Sequence, residues 1–396
     1  MEKVLTGIRV LDFSRWFAGP YAATLLAAMG ADVVRVERPT GEEERNFGPF
    51  APNGESMLTM VTLANRRGVT LDPLSEKGRE IVHQLVAKSD VVLHSYVSGS
   101  QEEKLLDYES LKKVNPAIVV AKVSGFGSWG PYMQRPCFDT IAQALSGAMS
   151  YTGFPDTAPT RSGYAWVDFS TGTHCALGIM FALFHRQRTG RGQFIDVALL
   201  DTAVACVAGL AVAAEAKVGG MIRERQGNTS YYNFTDCLKA KNGWVMIGCA
   251  GNPIWKRFLR AIGREDLKED PRFKSDQARF ENRHAIQAIA KEWVKDKTME
   301  ETMKILESAR VPCAKVNNTL EMTNDPQVAA REMLVNIPYP RVGDIPVPGV
   351  VIKLSETPGA IERPSPRPGE HNEEVYTGLL GFTPQKLAEL KSEGVI

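Results

Sequence analysis

The sequence has few of the features that usually announce a catalytic or binding class. Its six cysteines, Cys137, Cys175, Cys206, Cys237, Cys249 and Cys313, stand far apart with no Cys-x-x-Cys spacing, which argues against a zinc site and against a disulfide framework. Most of them are expected as buried small apolar residues. No sign of charge dominates: 47 Lys and Arg stand against 46 Asp and Glu, a formal net charge of +1, so neither nucleic acid nor an anionic membrane is implied as a partner. Gly-x-Ser-x-Gly, His-Glu-x-x-His and Walker A patterns are missing, which removes the commonest hydrolytic and phosphoryl-transfer chemistries. The opening "MEKVLTGIRVLDF" lacks a basic stretch followed by an apolar one, and no uninterrupted apolar run reaches the ~18 residues of a membrane span. A soluble cytoplasmic protein is expected.

What is present is alternation. "GIRVLDF" reads as a buried strand, "PYAATLLAAMG" as a helix with Pro20 at its start and Gly30 just past its end, and "ADVVRVE" as a second strand. Strand-like runs recur at 68–71, 90–94 and 118–123, separated by helix-period stretches at 76–88 and 108–114. This pattern predicts an α/β domain with a parallel sheet covered by helices. Acidic Glu37 closes the second strand, where a ribose hydroxyl is often bound, yet the turn after the first strand is "SRWFAGPYA". Without a Gly-x-Gly-x-x-Gly set the backbone cannot approach a pyrophosphate, so a dinucleotide is not expected. The stretch 175–184 is apolar on nearly every face, which predicts a helix packed inside this domain, and the strand "FIDVAL" follows it. At 396 residues the chain exceeds the roughly 250–300 that one core supports. From about Arg225 the texture changes to a strand "NGWVMIGC" and amphipathic helices, a second and smaller α+β domain. Eight prolines between Pro338 and Pro368 mark an extended return to a last helix near 384–391.

Two sets of residues carry candidate chemistry. Arg15, Arg35, Arg38, Arg66 and Arg67 fall near strand ends, where a phosphorylated ligand would sit; for Arg35, Arg66 and Arg67 an ordinary surface position is the plainer expectation. In "WVDFSTGTH", Asp168 immediately precedes a predicted helix. It reads equally as an N-cap and as a carboxylate nucleophile beside helix N–H groups that would hold an oxyanion. Ser170 and Thr171 offer alternative caps.

Taken together, "GIRVLDFSRWFAGPYAATLLAAMGADVVRVERP", "NRRGVTLDP", "NPAIVVAKVSGFG", "RPCFDTIAQALSG", "WVDFSTGTH", "RTGRGQFIDVALLD" and "EDPRF" resemble, in order and over nearly the whole chain, the family III CoA-transferases. "VPCAKVNNTLEMTNDPQVAARE" is most similar to the carnitine branch of that family. The resemblance implies a Rossmann-like large domain over 1–200, completed by 335–396 and binding CoA, a linker helix at 201–224, a small α+β domain at 225–325, and a return linker and C-terminal part at 326–396. It implies ring-shaped subunits in an interlocked homodimer, supported by the long stretches "TAVACVAGLAVAAEAKVGG" and the Pro-rich return, which exceed what a simple crossover needs. Asp168 falls at the family's nucleophilic aspartate, and Asp139 at an acidic position near the reacting thioester. Trp16, Phe17, Ala18, Arg38, Leu71, Ser95, Tyr96, Lys104 and Arg135 fall where the family holds CoA.

The chain also departs from the family. Ser95-Tyr96 replaces a common Asn-Phe, and Lys104, aligned across a one-residue gap, replaces an arginine and so lacks its bidentate fork. "GCAGNPIW" stands where oxalate enzymes carry a run of glycines before a tryptophan, which disfavours oxalate as acceptor. The related α-methylacyl-CoA racemases carry a histidine immediately before the acid matching Asp139; here it is Phe138, which cannot exchange a proton. CoA transfer between two carboxylic acids through an aspartyl anhydride and an aspartyl-CoA thioester at Asp168 is therefore expected, with a CoA thioester as substrate and no permanently bound cofactor or metal. A racemase or isomerase and a non-catalytic acyl-CoA binder remain as alternatives.

Overall fold

The computed structural model describes residues 2–340 and 342–396. Strands β1 (Arg9–Phe13), β2 (Asp32–Glu37), β3 (Arg67–Thr70), β4 (Val91–His94), β5 (Val119–Ser124) and β6 (Phe194–Ala198) form one sheet. They lie in the order β3-β2-β1-β4-β5-β6, and every pairing is parallel. Runs such as Val91–Leu93 and Val119–Ala121 are wholly buried because helices cover both faces. In this order strands are added outward in one direction from β1 to β3 and in the other from β4 to β6, and the switch between β1 and β4 opens a crevice at the carboxyl ends of those strands.

Helix Ala18–Ala28 follows β1, and Trp166–Thr189 packs against it with Ala22, Ala23, Ile179 and Leu183 in one core. The approach is close enough that a methyl at Gly172 would press on the Ala18 carbonyl and the Tyr21 ring. The Trp166–Thr189 helix has the length and apolar character of a membrane span, yet its buried face belongs to the core. The expectation that it is buried all round needs correction. Leu177, Phe181 and Phe184, on one stripe, are 47%, 64% and 61% exposed, because nothing among the described residues covers that side.

The chain divides into two compact units. One comprises Met1–Ala148, Ser162–Met221 and Pro326–Ile396 and contains the six-stranded sheet; the other comprises Met149–Arg161 and Ile222–Asp325. In the second unit, antiparallel strands β7 (Phe234–Ala240), β8 (Gly243–Cys249) and β9 (Cys313–Lys315) back onto helices Asn252–Ala261, Arg283–Val294 and Met299–Ser308. The stretch 201–224 begins as a bent pair of helices, Leu199–Ala208 and Val212–Val218. The Pro-rich return is partly a ribbon. Strands β10 (Leu334–Tyr339) and β11 (Gly343–Pro348) pair antiparallel, and the prolines are tolerated because each strand is an edge. Helix Asn372–Leu380 precedes the expected last helix, Pro384–Ser392. Only Cys175 and Cys249 are buried; Cys206 is exposed and the other three are half-buried.

The arginines hold the main surprise. Arg35 and Arg66 are 0% and 2% exposed, not surface residues. β1 and β2 register Asp12 opposite Arg35, and Asp12 accepts from Arg66 Nη1 at 2.6 Å. Arg35 donates to Glu44 at 2.6 Å and to Glu37 at 3.3 Å, and also to the Ser14 carbonyl. Arg67 is largely covered too, forked onto Asp32 and paired with Glu374. A buried guanidinium is tolerated only while its carboxylates remain. Asp12→Ala is therefore expected to destabilise the chain by about 3–5 kcal/mol in urea denaturation.

Candidate active site

Asp168 is the third residue of the Trp166–Thr189 helix, whose N-cap is Ala165, a residue with no side chain to cap it. The cap comes from elsewhere. Asp139, the first residue of the short helix Asp139–Leu145, accepts from the backbone N–H of Val167 at 2.8 Å and of Asp168 at 3.2 Å through Oδ2. Its Oδ1 accepts from Gln143 Nε2 at 2.5 Å, and Gln143 Oε1 accepts from the Ser162 N–H at 2.9 Å. The N-cap reading of Asp168 is thereby corrected, and Ser170 and Thr171 lie inside the helix.

Asp168 is 9% exposed and Asp139 6%. Among the described residues no cation pairs with Asp168. Burial first, and the Asp139 charge second, push its carboxyl up to about 7. Such a carboxylate is more basic and more nucleophilic than an exposed one, and is ionised in an appreciable fraction near neutrality.

Asp168 opens onto a cavity of about 90 Å³ at the crevice between β1 and β4. Trp16, Phe17, Ala18, Ser95, Cys137 and Phe138 share its lining. Trp16 takes a left-handed backbone conformation, φ 66°, which a bulky side chain adopts at a cost of about 1–3 kcal/mol. Its ring is wedged edge-on between Phe47 at 5.1 Å and Phe138 at 5.4 Å. Gly19, two residues after the turn, lies so close to Ser14 that a methyl there would overlap its side chain. Burial, with the Asp168 charge second, pushes the Cys137 thiol up to about 11, so it stays protonated and does not compete as a nucleophile.

At the rim of this cavity the cationic groups Arg15 and Arg38 gather around one acid. Glu42, 3% exposed, is ion-paired with Arg15 at 2.9 Å and accepts from Arg15 Nη2 at 3.4 Å and from Arg38 Nη2 at 3.1 Å. Arg15 also lies over the Tyr96 ring at 5.0 Å, and its backbone N–H donates to Ser95 Oγ at 2.8 Å. The loop carrying Ser95 and Tyr96 is pinned from below by buried Lys122, which donates to Ser98 and Glu103 at 2.9 Å each. Arg15 and Arg38 are the residues fit to hold an anionic group at the carboxyl ends of β1 and β2. Glu37 is not fit for a ribose: although burial opposes its charge, hydrogen bonds from Arg45 and the charge of Arg35 bring its carboxyl down to about 2, and both partners lock it in place. Among the described residues no His, Cys, Asp and Glu cluster could hold a metal ion.

Of the residues singled out from the sequence, Asp168, Trp16, Phe17, Ala18 and Ser95 meet in the cavity, with Asp139 behind the nucleophile and Tyr96 and Arg38 joined to the rim through Arg15 and Glu42. Three lie apart. Leu71 is wholly buried in the core, Lys104 is exposed on helix Gln101–Leu105, and Arg135 is exposed with its guanidinium 3.8 Å from the Tyr132 ring centroid. Glu42 and Gln143 went unnoticed. The i,i+4 spacing of Gln143 from Asp139 is the one sequence signal that points to it.

The profile of CoA-transferase family III matches residues 5–372. Succinyl-CoA–D-citramalate CoA-transferase of Chloroflexus aurantiacus is 34% identical over 400 residues, spanning 99% of this chain and 98% of that protein. Formyl-CoA:oxalate CoA-transferase of Streptomyces coelicolor is 34% identical over 416 residues, with 100% of this chain and 99% of that protein aligned. The crystal structure of a CAIB/BAIF family protein from Brucella suis superposes with a TM-score of 0.84 at 31% identity, covering 96% of this chain and all of that one.

The elevated Asp168 carboxyl makes a prediction with a defined sign. Its midpoint lies near 7 in the folded chain against an ordinary 3.8, so the fold favours the protonated form. That stabilisation is fully present below about pH 4 and is lost as pH rises towards 7. Asp168→Asn, which cannot ionise, is expected to gain about 2–3 kcal/mol over the natural chain between pH 5 and pH 8, measured by denaturant unfolding at the two pH values.

Proposed function

This chain belongs to CoA-transferase family III and is a CoA-transferase, and from that premise we propose that Asp168 is the nucleophile through which CoA passes from an acyl-CoA to a free carboxylic acid. The observation that carries this reading is a buried carboxyl with no cationic partner, raised to about 7, at the crevice of a parallel sheet. One Asp168 oxygen attacks the thioester carbonyl, the C–S bond breaks, and an aspartyl–acyl mixed anhydride and CoA thiolate result. The thiolate attacks the aspartyl carbonyl and expels the first acid, leaving an aspartyl-CoA thioester. The second acid attacks that thioester, breaking its C–S bond to give a new anhydride and CoA thiolate, and the thiolate then attacks the acyl carbonyl of the anhydride, forming the new acyl-CoA and releasing the Asp168 carboxylate. Every intermediate remains activated, so the thioester's free energy is retained as long as water is kept out. The apolar lining from Trp16, Phe17 and Phe138 serves that exclusion.

Arg15 and Arg38 are proposed to hold the anionic end of CoA, with Ser95 and Tyr96 beside them. The exposed Lys104 and Arg135 are available as outer contacts, whereas the buried side chain of Leu71 supports the site from within the core. The small cavity and the relative named for citramalate favour a short dicarboxylic acid other than oxalate as acceptor. The likeness of 311–332 to the carnitine branch keeps a betaine-type acid in the panel to be screened.

A homodimer of interlocked subunits is proposed as the working form. The uncovered stripe of Leu177, Phe181 and Phe184 supports association, since an apolar face of this kind is disfavoured in water. Sedimentation over a dilution series is expected to give a dimer throughout; a compact, folded and reversible monomer would rule out threading.

The mechanism is tested by incubating the enzyme with an acyl-CoA and trapping with hydroxylamine. The peptide containing Asp168 is expected to carry a hydroxamate, and Asp168→Ala to lose both the adduct and transfer while keeping its affinity for CoA. Full transfer in that variant, or exchange of the acyl α-hydrogen with deuterium without CoA movement, would overturn the reading.

A further inference from the structure

We infer that Gln143 is a positioning residue for this reaction, one that holds the Asp139 carboxylate against the first turn of the helix bearing Asp168 and so fixes the acid that faces the nucleophile. The inference rests on the proposed role of Asp168 as nucleophile. Gln143 is 1% exposed, and both ends of its amide are committed: Nε2 to Asp139 Oδ1 at 2.5 Å and Oε1 to the Ser162 N–H at 2.9 Å. The Ser162 bond fixes the orientation of the amide, because a backbone N–H can only donate and must therefore meet the amide oxygen. The NH₂ group then has to point at Asp139.

Asp139 consequently faces three donors, the Gln143 amide and the N–H groups of Val167 and Asp168. These donors occupy both oxygens of Asp139 and hold the carboxyl group in one place. Asp168 has no such set. Two acids in one buried site do not ionise independently, and after burial it is the nearby Asp139 charge that raises the Asp168 carboxyl. The other polar groups facing Asp168 leave this asymmetry in place. Cys137 precedes Asp139 in the chain and is a protonated thiol. Arg15, from the turn after β1, lines the same cavity but is held by Glu42. On Asp168's own helix the next titratable group is His174, exposed and bonded to the Ser170 carbonyl.

Gln143 thus lies one residue removed from the chemistry, yet it sets where the Asp139 carboxylate stands relative to the nucleophile. Gln143→Met keeps the length of the side chain and removes both hydrogen bonds. Asp139 is then free to turn away from Asp168, its charge on Asp168 weakens, and Asp168 ionises at lower pH. Gln143→Glu has the opposite effect, because a third carboxyl group adds negative charge beside the pair. The test is the pH profile of kcat/KM for an acyl-CoA, with the Kd of a non-reactive CoA thioether measured alongside. The acid limb is expected to move down by ~0.5 pH unit or more in Gln143→Met and up by a similar amount in Gln143→Glu, with thioether affinity changed less than about threefold in both. Should the methionine variant fail to fold, the glutamate variant carries the test alone. Limbs coincident with that of the natural enzyme would overturn the inference, as would a loss of activity at all pH values with no shift. Transfer surviving in Asp168→Asn would instead overturn the nucleophile assignment on which it rests, so the two failures are distinguishable.

Discussion

A helix that starts inside a protein exposes backbone N–H groups that must find acceptors, and the Trp166–Thr189 helix starts at a residue with no acceptor of its own. The requirement is met by a carboxylate from another helix, and the arrangement of the site follows from it. Asp139 must be close to the first turn to accept two of its N–H groups, so it is also close to Asp168, which occupies that turn. One interaction therefore anchors the helix, orients the nucleophile's backbone and places a negative charge beside its side chain. The last effect costs free energy, and the hydrogen bonds that hold Asp139 offset it.

A second constraint shapes the crevice in front of Asp168. The strand order is that of a dinucleotide-binding sheet, but the space where glycines would admit a pyrophosphate is filled by Arg15, Trp16 and Phe17 and is supported from beneath by Asp12, Arg35, Glu37, Glu44 and Arg66. Buried ion pairs of this kind give little net stability compared with a well-packed apolar core. Their effect here is geometric: they tie β1, β2 and the segment after β2 into one rigid floor, and they remove Glu37 from any contact with a ribose. The same fold is thereby closed to one class of ligand and open to another.

Much of this was legible in the sequence, and the failures have physical causes. The strands were readable because those buried on both faces must be continuously apolar, as in "DVVL" and "IVVAKV", and the helices expected at 76–88 and 108–114 were readable from their period. Asp168 stood out as an acid at a helix start. Its relation to the helix was misread because the true cap lies 29 residues earlier, and no local rule reports a cap supplied by another element. Arg35 and Arg66 were misread for a similar reason. An arginine's burial depends on which carboxylate the sheet register brings to it, and the opposition of Asp12 and Arg35 exists only once β1 and β2 pair. The uncovered stripe on the apolar helix departs from expectation in the other direction, since sequence periodicity reports that a face is apolar but not whether its cover belongs to the same chain.

The site also reconciles two electrostatic demands that conflict at one point in space. An anionic, phosphate-bearing substrate calls for cations, whereas a carboxylate nucleophile is weakened by them, because an adjacent guanidinium stabilises the ionised form and lowers its basicity. Both kinds of group reach the same cavity, Arg15 and Asp168 among its lining residues. They are kept from pairing because Glu42 accepts from Arg15 and Arg38 together, and the Tyr96 ring lies against the Arg15 guanidinium. Glu42 lowers the net positive charge of the rim without removing its donors, and the apolar rings of Trp16 and Phe138 line the cavity alongside Asp168. A carboxyl near neutrality in its titration and a guanidinium pair able to meet phosphate can coexist there only because each has been given a different partner. For Arg15 and Arg38 that partner is a buried acid; for Asp168 it is the apolar surroundings that keep it basic.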